Sequence, residues 1–284
     1  MSTLAVIAHA VLIVALGLAL FALGHTLLSS LLRPARLREE LFVKDNPAFG
    51  LVVAGYDLGL VLSFGTVLMG ESQGWRADVG HVVAHGLGAI AIYYAFGWLG
   101  RTVVVGRLGL IRELSSDRNA GLGAVMAGYL IASGLLIHGV LAGQGGGWLS
   151  TLVFLALAQG VLLAVGPIYG LVVGYGLRDQ LRKDNIAAGL AYGGCLIGIG
   201  TILGQVLGGE FVTWGQSLME FAVYAIGGLI GLPLVRWLAD LILAPGVKFN
   251  REIASEDAVP NLAAGMIEGV SYVAAGLLVA WGLS

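Results

Sequence analysis

The segment Lys183–Gly194 reads KDNIAAGLAYGG, and three other segments of the chain share its pattern. Each contains an asparagine that is followed by a small residue two positions later and by glycine four positions later. The related segments read KDNPAFGLVVAG (44–55), SDRNAGLGAVMAG (116–128) and DAVPNLAAGMIEG (257–269). The asparagines are Asn46, Asn119, Asn185 and Asn261. We interpret the pattern as four copies of one structural unit.

The motif predicts the start of a tightly packed helix. Asparagine is a good N-cap because its side-chain oxygen accepts a hydrogen bond from a free backbone N–H, and a nearby acidic residue favours the positive end of the helix dipole. Small residues let a second helix approach closely. The acidic residues that precede the asparagines are Asp45, Asp117, Asp184 and Asp257. The alternative is that the four helix N-termini converge on one anion-binding site.

The composition around the motif is that of a membrane protein. Of the 284 residues, 58% are hydrophobic and 11% are charged, whereas a soluble domain carries about 25% charged residues. The net charge of −2 argues against nucleic acid as a partner. The single cysteine, Cys195, cannot form an internal disulfide or a zinc site. We therefore expect the lipid bilayer as the surrounding phase, and we predict no cofactor.

Eight apolar stretches are long enough to cross a bilayer, which takes about 20 helical residues. The first is too long for the core of a signal peptide, so we expect it to be retained. The predicted fold is an all-α integral membrane protein with eight transmembrane helices. The stretches cover residues 4–32, 48–70, 79–105, 119–142, 148–176, 185–208, 214–244 and 261–283.

The basic residues predict the orientation. Fourteen of the fifteen Lys and Arg residues fall in the four segments that join the two spans of each unit, and only Arg76 falls elsewhere. The positive-inside rule then places these segments in the cytoplasm and both termini outside, in the periplasm or beyond the cell. The fourteen are Arg33, Arg36, Arg38, Lys44, Arg101, Arg107, Arg112, Arg118, Arg178, Arg182, Lys183, Arg236, Lys248 and Arg251.

This orientation makes the four two-helix repeats parallel, because every unit enters the membrane from the same side. Parallel repeats are related by an axis along the membrane normal. The repeats give two four-helix membrane domains, residues 1–143 and 144–284. Two arrangements remain open, a pseudo-fourfold ring or two halves split near residues 144–147.

The repeated Asp-Asn start, followed by an Ala- and Gly-rich helix, resembles the YjfL-type bacterial inner-membrane family, domain of unknown function 350. The best matches are Asp184-Asn185 with the small residues 187–189, and the segment 113–123. The resemblance covers nearly the whole chain as two tandem copies, although Pro47 and the gap from Asp257 to Asn261 depart from the pattern. It implies a multi-pass protein of the bacterial inner membrane, and it brings no activity or catalytic residue.

Three acidic residues, Asp57, Glu220 and Glu268, fall inside the predicted spans. An ionisable group inside a bilayer is costly and is a functional candidate by default. The alternative is a protonated carboxyl that ties helices together through hydrogen bonds.

Asp57 is the deepest of the three acids, eleven residues past Asn46, or about 16 Å of helix rise. The other units carry Leu130, Leu196 and Tyr272 at this position, so the packing of the repeat does not require an acid. From their depth, the candidates to contact Asp57 are Tyr129 and Gln159.

The histidines form a second group of candidates. His9, His81, His85 and His138 all fall toward the outer face, and His81 and His85 share one face of a helix. Imidazoles at one level can hold a transition metal or haem iron. The alternative, which we favour, is that each makes a helix–helix hydrogen bond.

From the parallel repeats and the intramembrane acids we expect a transport or channel-like protein for ions or small solutes. The alternative is a non-transporting scaffold in envelope or stress complexes, whose basic loops bind a cytoplasmic or membrane protein. A third interpretation is a redox protein that uses the histidines. A homo-oligomer is compatible with each, and no enzyme or catalytic residue is predicted.

Overall fold

The computed structural model describes residues 3–69, 72–104, 109–243, 245–254 and 259–282, and the named elements in these ranges are all helical. Eight of the described helices are long and apolar enough to cross a membrane. This confirms the prediction of eight spans in an all-α protein. Arg107, one of the basic residues of the joining segments, and Asp257, the acidic residue before Asn261, lie outside the described residues.

Each unit contains a long partner helix, a short linker helix and a motif helix that begins at the repeated asparagine. The partner helices are α1 (Thr3–Leu31), α4 (Trp75–Leu99, extended by a π turn at Gly100–Val104), α7 (Trp148–Val173) and α10 (Trp214–Ile242). The linker helices are α2 (Leu37–Phe42), α5 (Leu110–Ser115), α8 (Leu177–Arg182) and α11 (Phe249–Ala254). The motif helices are α3 (Pro47–Gly65, extended by a 3-10 turn at Thr66–Leu68), α6 (Ala120–Ala142), α9 (Ile186–Leu207) and α12 (Leu262–Gly282).

A tight turn joins the linker helix to the motif helix. In three units the residue before the asparagine has a positive φ: 48° at Asp45, 51° at Arg118 and 55° at Asp184. This left-handed conformation is uncommon outside glycine, and Asp is among the side chains that tolerate it best. Aspartate before asparagine therefore suits the turn as well as the helix dipole.

The four motif helices pack side by side in the order α3, α6, α9, α12. The backbones of neighbouring motif helices touch along the whole row. For example, a Cβ added at Gly123 would lie 2.7 Å from the carbonyl oxygen of Ala48. The same holds at Gly204, where a Cβ would lie 2.7 Å from the carbonyl oxygen of Leu135. The inner helices α6 and α9 are accordingly the most buried of the eight spans.

All three interfaces in the row use the same positions, counted from the asparagine of each unit. Positions 2, 9 and 13 of one motif helix, which we call its front face, meet positions 4, 8 and 15 of the next, its back face. The pairs between α3 and α6 are Ala48 with Gly123, Gly55 with Ala127, and Gly59 with Gly134. Those between α6 and α9 are Gly121 with Gly189, Gly128 with Gly193, and Ala132 with Gly200. Those between α9 and α12 are Ala187 with Gly265, Gly194 with Gly269, and Gly198 with Gly276.

These pairs run in the same direction along both helices, so neighbouring motif helices are parallel in space. The partner helices α4, α7 and α10 each pack on two consecutive motif helices, while α1 packs on α3 and α4. The back face of α3 and the front face of α12 carry exposed residues. The four motif helices are thus an open row, in which α6 and α9 join the two halves.

Candidate functional site

The four motif asparagines cap their helices. The side-chain oxygen of Asn119 accepts a hydrogen bond from the N–H of Leu122 at 2.8 Å. Asn185 does the same with Ala188 at 3.0 Å. The equivalent bonds join Asn46 to the N–H of Ala48 at 3.1 Å and Asn261 to the N–H of Ala264 at 3.2 Å. Each bond satisfies one of the free N–H groups at a helix start.

The side-chain nitrogen of the same asparagines connects consecutive units. In Asn119 it donates to Oε2 of Glu113 in its own linker helix at 3.0 Å, and to the carbonyl of Leu181 in the next linker helix at 2.7 Å. Asn46 donates likewise to the carbonyl of Leu114 at 2.8 Å, and Asn185 to that of Ile253 at 2.7 Å. These three asparagines are buried, and their side-chain oxygen and nitrogen atoms form hydrogen bonds within the protein.

Asp57 is held by a histidine from the first helix. Its Oδ1 lies 2.7 Å from Nδ1 of His25 on α1. The prediction that Tyr129 and Gln159 contact Asp57 is wrong. Tyr129 instead donates to the carbonyl of Phe96, and Gln159 donates to the hydroxyl of Tyr129. The pair lies near the middle of the span Pro47–Leu68 and keeps some exposure, 26% for the Asp57 side chain and 44% for that of His25.

Glu268 is paired with an arginine inside the helix bundle. A guanidinium nitrogen of Arg236 on α10 donates to Oε1 of Glu268, and the hydroxyl of Tyr169 donates to the same oxygen at 3.0 Å. Both charged side chains are buried. The assignment of Arg236 to a cytoplasmic loop is therefore wrong, because it lies inside the span Trp214–Ile242.

Glu220 lies apart from the other two acids, at the far end of α10 from Arg236. It is exposed and lines a small cavity of about 80 Å³ together with Glu210, Ser217 and Gln144. The parallel bridge between Gln144 and Glu210 forms one side of this cavity. The three acids that the sequence singles out thus lie in three separate places.

The histidines also have separate partners. Nε2 of His9 lies 2.8 Å from Oδ2 of Asp78, and Nδ1 of His138 lies 2.7 Å from the hydroxyl of Thr66. The rings of His81 and His85 lie together, with their centres 4.1 Å apart. Within the described ranges, no group of three or more His, Cys, Asp or Glu side chains is arranged to hold a metal ion.

Sequence reasoning missed both intramembrane pairings, although a signal for one was present. Arg236 lies six residues before the end of α10, and Glu268 lies seven residues after Asn261. Opposite charges at similar depths on consecutive spans are a reason to expect an ion pair, since unpaired charges in a membrane are costly. No comparable signal pointed from Asp57 to His25.

The comparisons with known proteins agree with this architecture. The family model described as Domain of Unknown Function (DUF350) matches the chain twice, over residues 1–141 and 144–283. A curated relative, the UPF0719 transmembrane protein of Aquifex aeolicus (strain VF5), is 23% identical over 250 residues, which cover 87% of this chain and 89% of the relative. No solved structure matches the chain. The chain is a multi-pass membrane protein that belongs to the DUF350 family, with two tandem copies of its domain.

Proposed function

We propose that the chain is a transport or channel-like protein of the bacterial inner membrane for ions or small solutes, with Asp57 and His25 as its titratable pair. The observation that carries the proposal is the contact of 2.7 Å between a carboxylate and an imidazole in the middle of a span. Such a pair can exchange a proton or release a cation, and ionisable groups at this depth mark transport pathways.

The packing supports a functional role for Asp57. The equivalent residues Leu130 and Tyr272 are apolar or aromatic and buried against the preceding motif helix. The fold of a motif helix therefore does not need a carboxylate at this position. Glu268 differs, because Arg236 and Tyr169 already neutralise and bind it.

The proposed topology has four parallel two-helix repeats in two domains, residues 1–143 and 144–284, with both termini outside. Two features support it. The motif helices start at the same end of the row, since Asn46, Asn119 and Asn185 each donate a hydrogen bond to a carbonyl of the next unit's linker helix. Among the Lys and Arg residues that the structure describes, all except Arg76 and the buried Arg236 fall in the segments near that end. The positive-inside rule makes it the cytoplasmic end.

The second candidate function is a membrane scaffold whose basic loops bind a cytoplasmic or membrane protein. The backbone contacts along the row of motif helices favour it, because they leave no room for a pathway between those helices. Under this proposal Asp57 and His25 only hold α1 against α3.

A flux assay in liposomes separates the two candidates. We expect proton or cation flux with the unaltered chain, and loss of at least nine-tenths of it in Asp57→Asn, which keeps shape and hydrogen bonding but removes the titratable proton. His25→Gln should lose flux as well. Glu220→Gln is the matched control at an exposed acid and should retain flux. Unchanged flux in a correctly inserted Asp57→Asn chain would contradict a pathway role for this pair.

A further inference from the structure

The row of motif helices ends in two faces that have no neighbour within the chain. The back face of α3 consists of Gly50, Ala54 and Val61, and a Cβ added at Gly50 meets no atom within 4 Å. The front face of α12 consists of Ala263, Val270 and Ala274, all exposed. At the three internal interfaces, small residues at these same positions lie in close contact with the backbone of the neighbouring motif helix.

The Asp57–His25 pair lies on the open side of α3. Asp57 occupies position 11, and in α6 and α12 this position holds Leu130 and Tyr272, which pack on Gly59 and Gly198 of the preceding motif helix. A carboxylate and an imidazole would thus face lipid in the middle of the membrane if nothing covered this side. Ionisable side chains in membrane spans almost always face protein or a water-filled cavity instead.

The hydrogen bonds that join consecutive units also have no counterpart at the two ends of the row. Asn46, Asn119 and Asn185 each donate to a carbonyl of the next linker helix, at Leu114, Leu181 and Ile253. Asn261 is exposed, and within the described residues its side-chain nitrogen donates to Glu252 of its own unit and to no other acceptor. At the other end of the row, the carbonyl of Leu41 stands where Leu114, Leu181 and Ile253 stand in their units. No donor reaches this carbonyl within the described part of the chain.

We propose that copies of this chain associate head to tail in the membrane, with the front face of α12 of one copy packed on the back face of α3 of the next. The contact continues the internal row in the same register. It pairs Ala263 with Gly50, Val270 with Ala54, and Ala274 with Val61, and it brings Asn261 to the carbonyl of Leu41. It also encloses the Asp57–His25 pair between subunits.

A second copy is the occupant that satisfies all three observations. Lipid tails can cover small apolar residues, but they carry no acceptor for Asn261 and no polar group for Asp57. An unrelated helix would match the register of the row only by coincidence, whereas α12 carries that register already. Because two different faces meet, the interface is heterologous and generates a ring if the rotation closes. The proposal does not depend on any transport activity.

Disulfide trapping between two differently tagged chains tests the interface directly. Both chains carry Cys195→Ala, one also carries Ala54→Cys, and the other also carries Val270→Cys. In the internal row, Ala127 stands at the position of Ala54 and Gly55 at the position of Val270, and these two residues touch within the chain. We expect oxidation in native membranes to give a mixed-tag dimer as a major product.

The control replaces Val270→Cys with Leu234→Cys, an exposed residue of α10 near the same depth. The control chains should give at most one tenth of that dimer. Equal amounts from the two combinations, or no mixed dimer with Ala54→Cys and Val270→Cys, would overturn the proposal. An unrelated partner that copurifies without self-crosslinking would also overturn it.

A second measurement follows the assembly without new cysteines. Gly50→Leu adds a side chain where the isolated chain has open space, so the fold should survive while the neighbouring copy is displaced. We expect native mass spectrometry from lipid nanodiscs to give oligomers for the unaltered chain and at least tenfold fewer for Gly50→Leu. The matched control is Gly160→Leu on α7, where an added Cβ also meets nothing within 4 Å. A monomeric unaltered chain, or full oligomers in a folded Gly50→Leu chain, would contradict the interface.

Discussion

Arg236 and Glu268 form a hydrogen-bonded ion pair between α10 and α12, inside the region that the apolar spans define. The Glu268 side chain is fully buried, and that of Arg236 is 8% exposed. Tyr169 from α7 donates to the same carboxylate oxygen. This pair therefore connects three helices of the second half in one polar contact.

Breaking this pair from one side should be strongly destabilising. Arg236→Leu or Glu268→Leu alone leaves an uncompensated buried charge, which typically costs about 3–5 kcal/mol of unfolding free energy. The double variant should lose much less than the sum, because no charge remains unpaired. Denaturation in detergent measures all three changes, and additive single effects would show that the two side chains do not interact.

The packing of the motif helices should be most sensitive to substitutions of the motif glycines. A Cβ on Gly189 would overlap the carbonyl group of Gly121, so Gly189→Leu forces α6 and α9 apart. Overpacking of this kind costs about 1–3 kcal/mol or more. Gly160→Leu meets open space and should change the unfolding free energy by less than about 1 kcal/mol. Equal thermal stability of the two variants in detergent would contradict the close approach of the helices.

The motif asparagines should differ in importance. Asn185→Ala loses the cap, the bond to Gln180 and the bond to the carbonyl of Ile253, which becomes an unsatisfied buried acceptor. We expect a loss of about 2–3 kcal/mol, more than the typical 1 kcal/mol for a cap.

The matched control is Asn261→Ala, which removes a cap and one exposed bond, and we expect a loss of about 1 kcal/mol. Unfolding of monomeric chains in detergent gives the comparison. If Asn185→Ala abolishes flux without any change in stability, the asparagines belong to a functional site and capping alone does not explain them.

Glu40 should contribute to stability above acidic pH. Burial raises the pKa of its carboxyl, but hydrogen bonds from Lys44 and Asn46 outweigh it, so the pKa lies below its usual 4.5. A lowered pKa means that the stabilisation is present above pH 4.5 and is lost as the pH falls through the lower folded-state value. Glu40→Gln should therefore cost about 1 kcal/mol at pH 7 and less at pH 3.

The control for this pH dependence is Glu39→Gln, since the Glu39 side chain is 46% exposed and lies 3.4 Å from Lys44. It should change the unfolding free energy by less than about 0.5 kcal/mol at either pH. A difference between Glu40→Gln and the unaltered chain that stays constant from pH 7 to pH 3 would contradict the lowered pKa.

Labelling of single cysteines should reveal the orientation. In a Cys195→Ala chain, a membrane-impermeant maleimide added to intact cells should label Gln144→Cys and leave Ser116→Cys unlabelled. Both positions are exposed, so access to the reagent decides the result. Labelling of both from outside would contradict the proposed topology, in which Ser116 belongs to a cytoplasmic segment.

The sequence alone determined the spans and the starts of the motif helices. Both are local features, because a helix satisfies its own backbone hydrogen bonds and a bilayer selects apolar runs of sufficient length. Predicted spans such as 148–176 and 185–208 differ from α7 and α9 by only a few residues at their ends. The cap at Asn185 is equally local, since its acceptor and donor lie three residues apart.

Only the tertiary structure decided which polar groups meet. Asp57 bonds to His25, 32 residues earlier, and Glu268 bonds to Arg236, 32 residues earlier, but no periodicity in the sequence selects these partners. A pairing between two helices depends on how far each is rotated about its axis and shifted along it. Those two quantities are set by the tertiary packing of α1 on α3 and of α10 on α12, which is why the partner of Asp57 was predicted wrongly although its place near the middle of the helical span was predicted correctly.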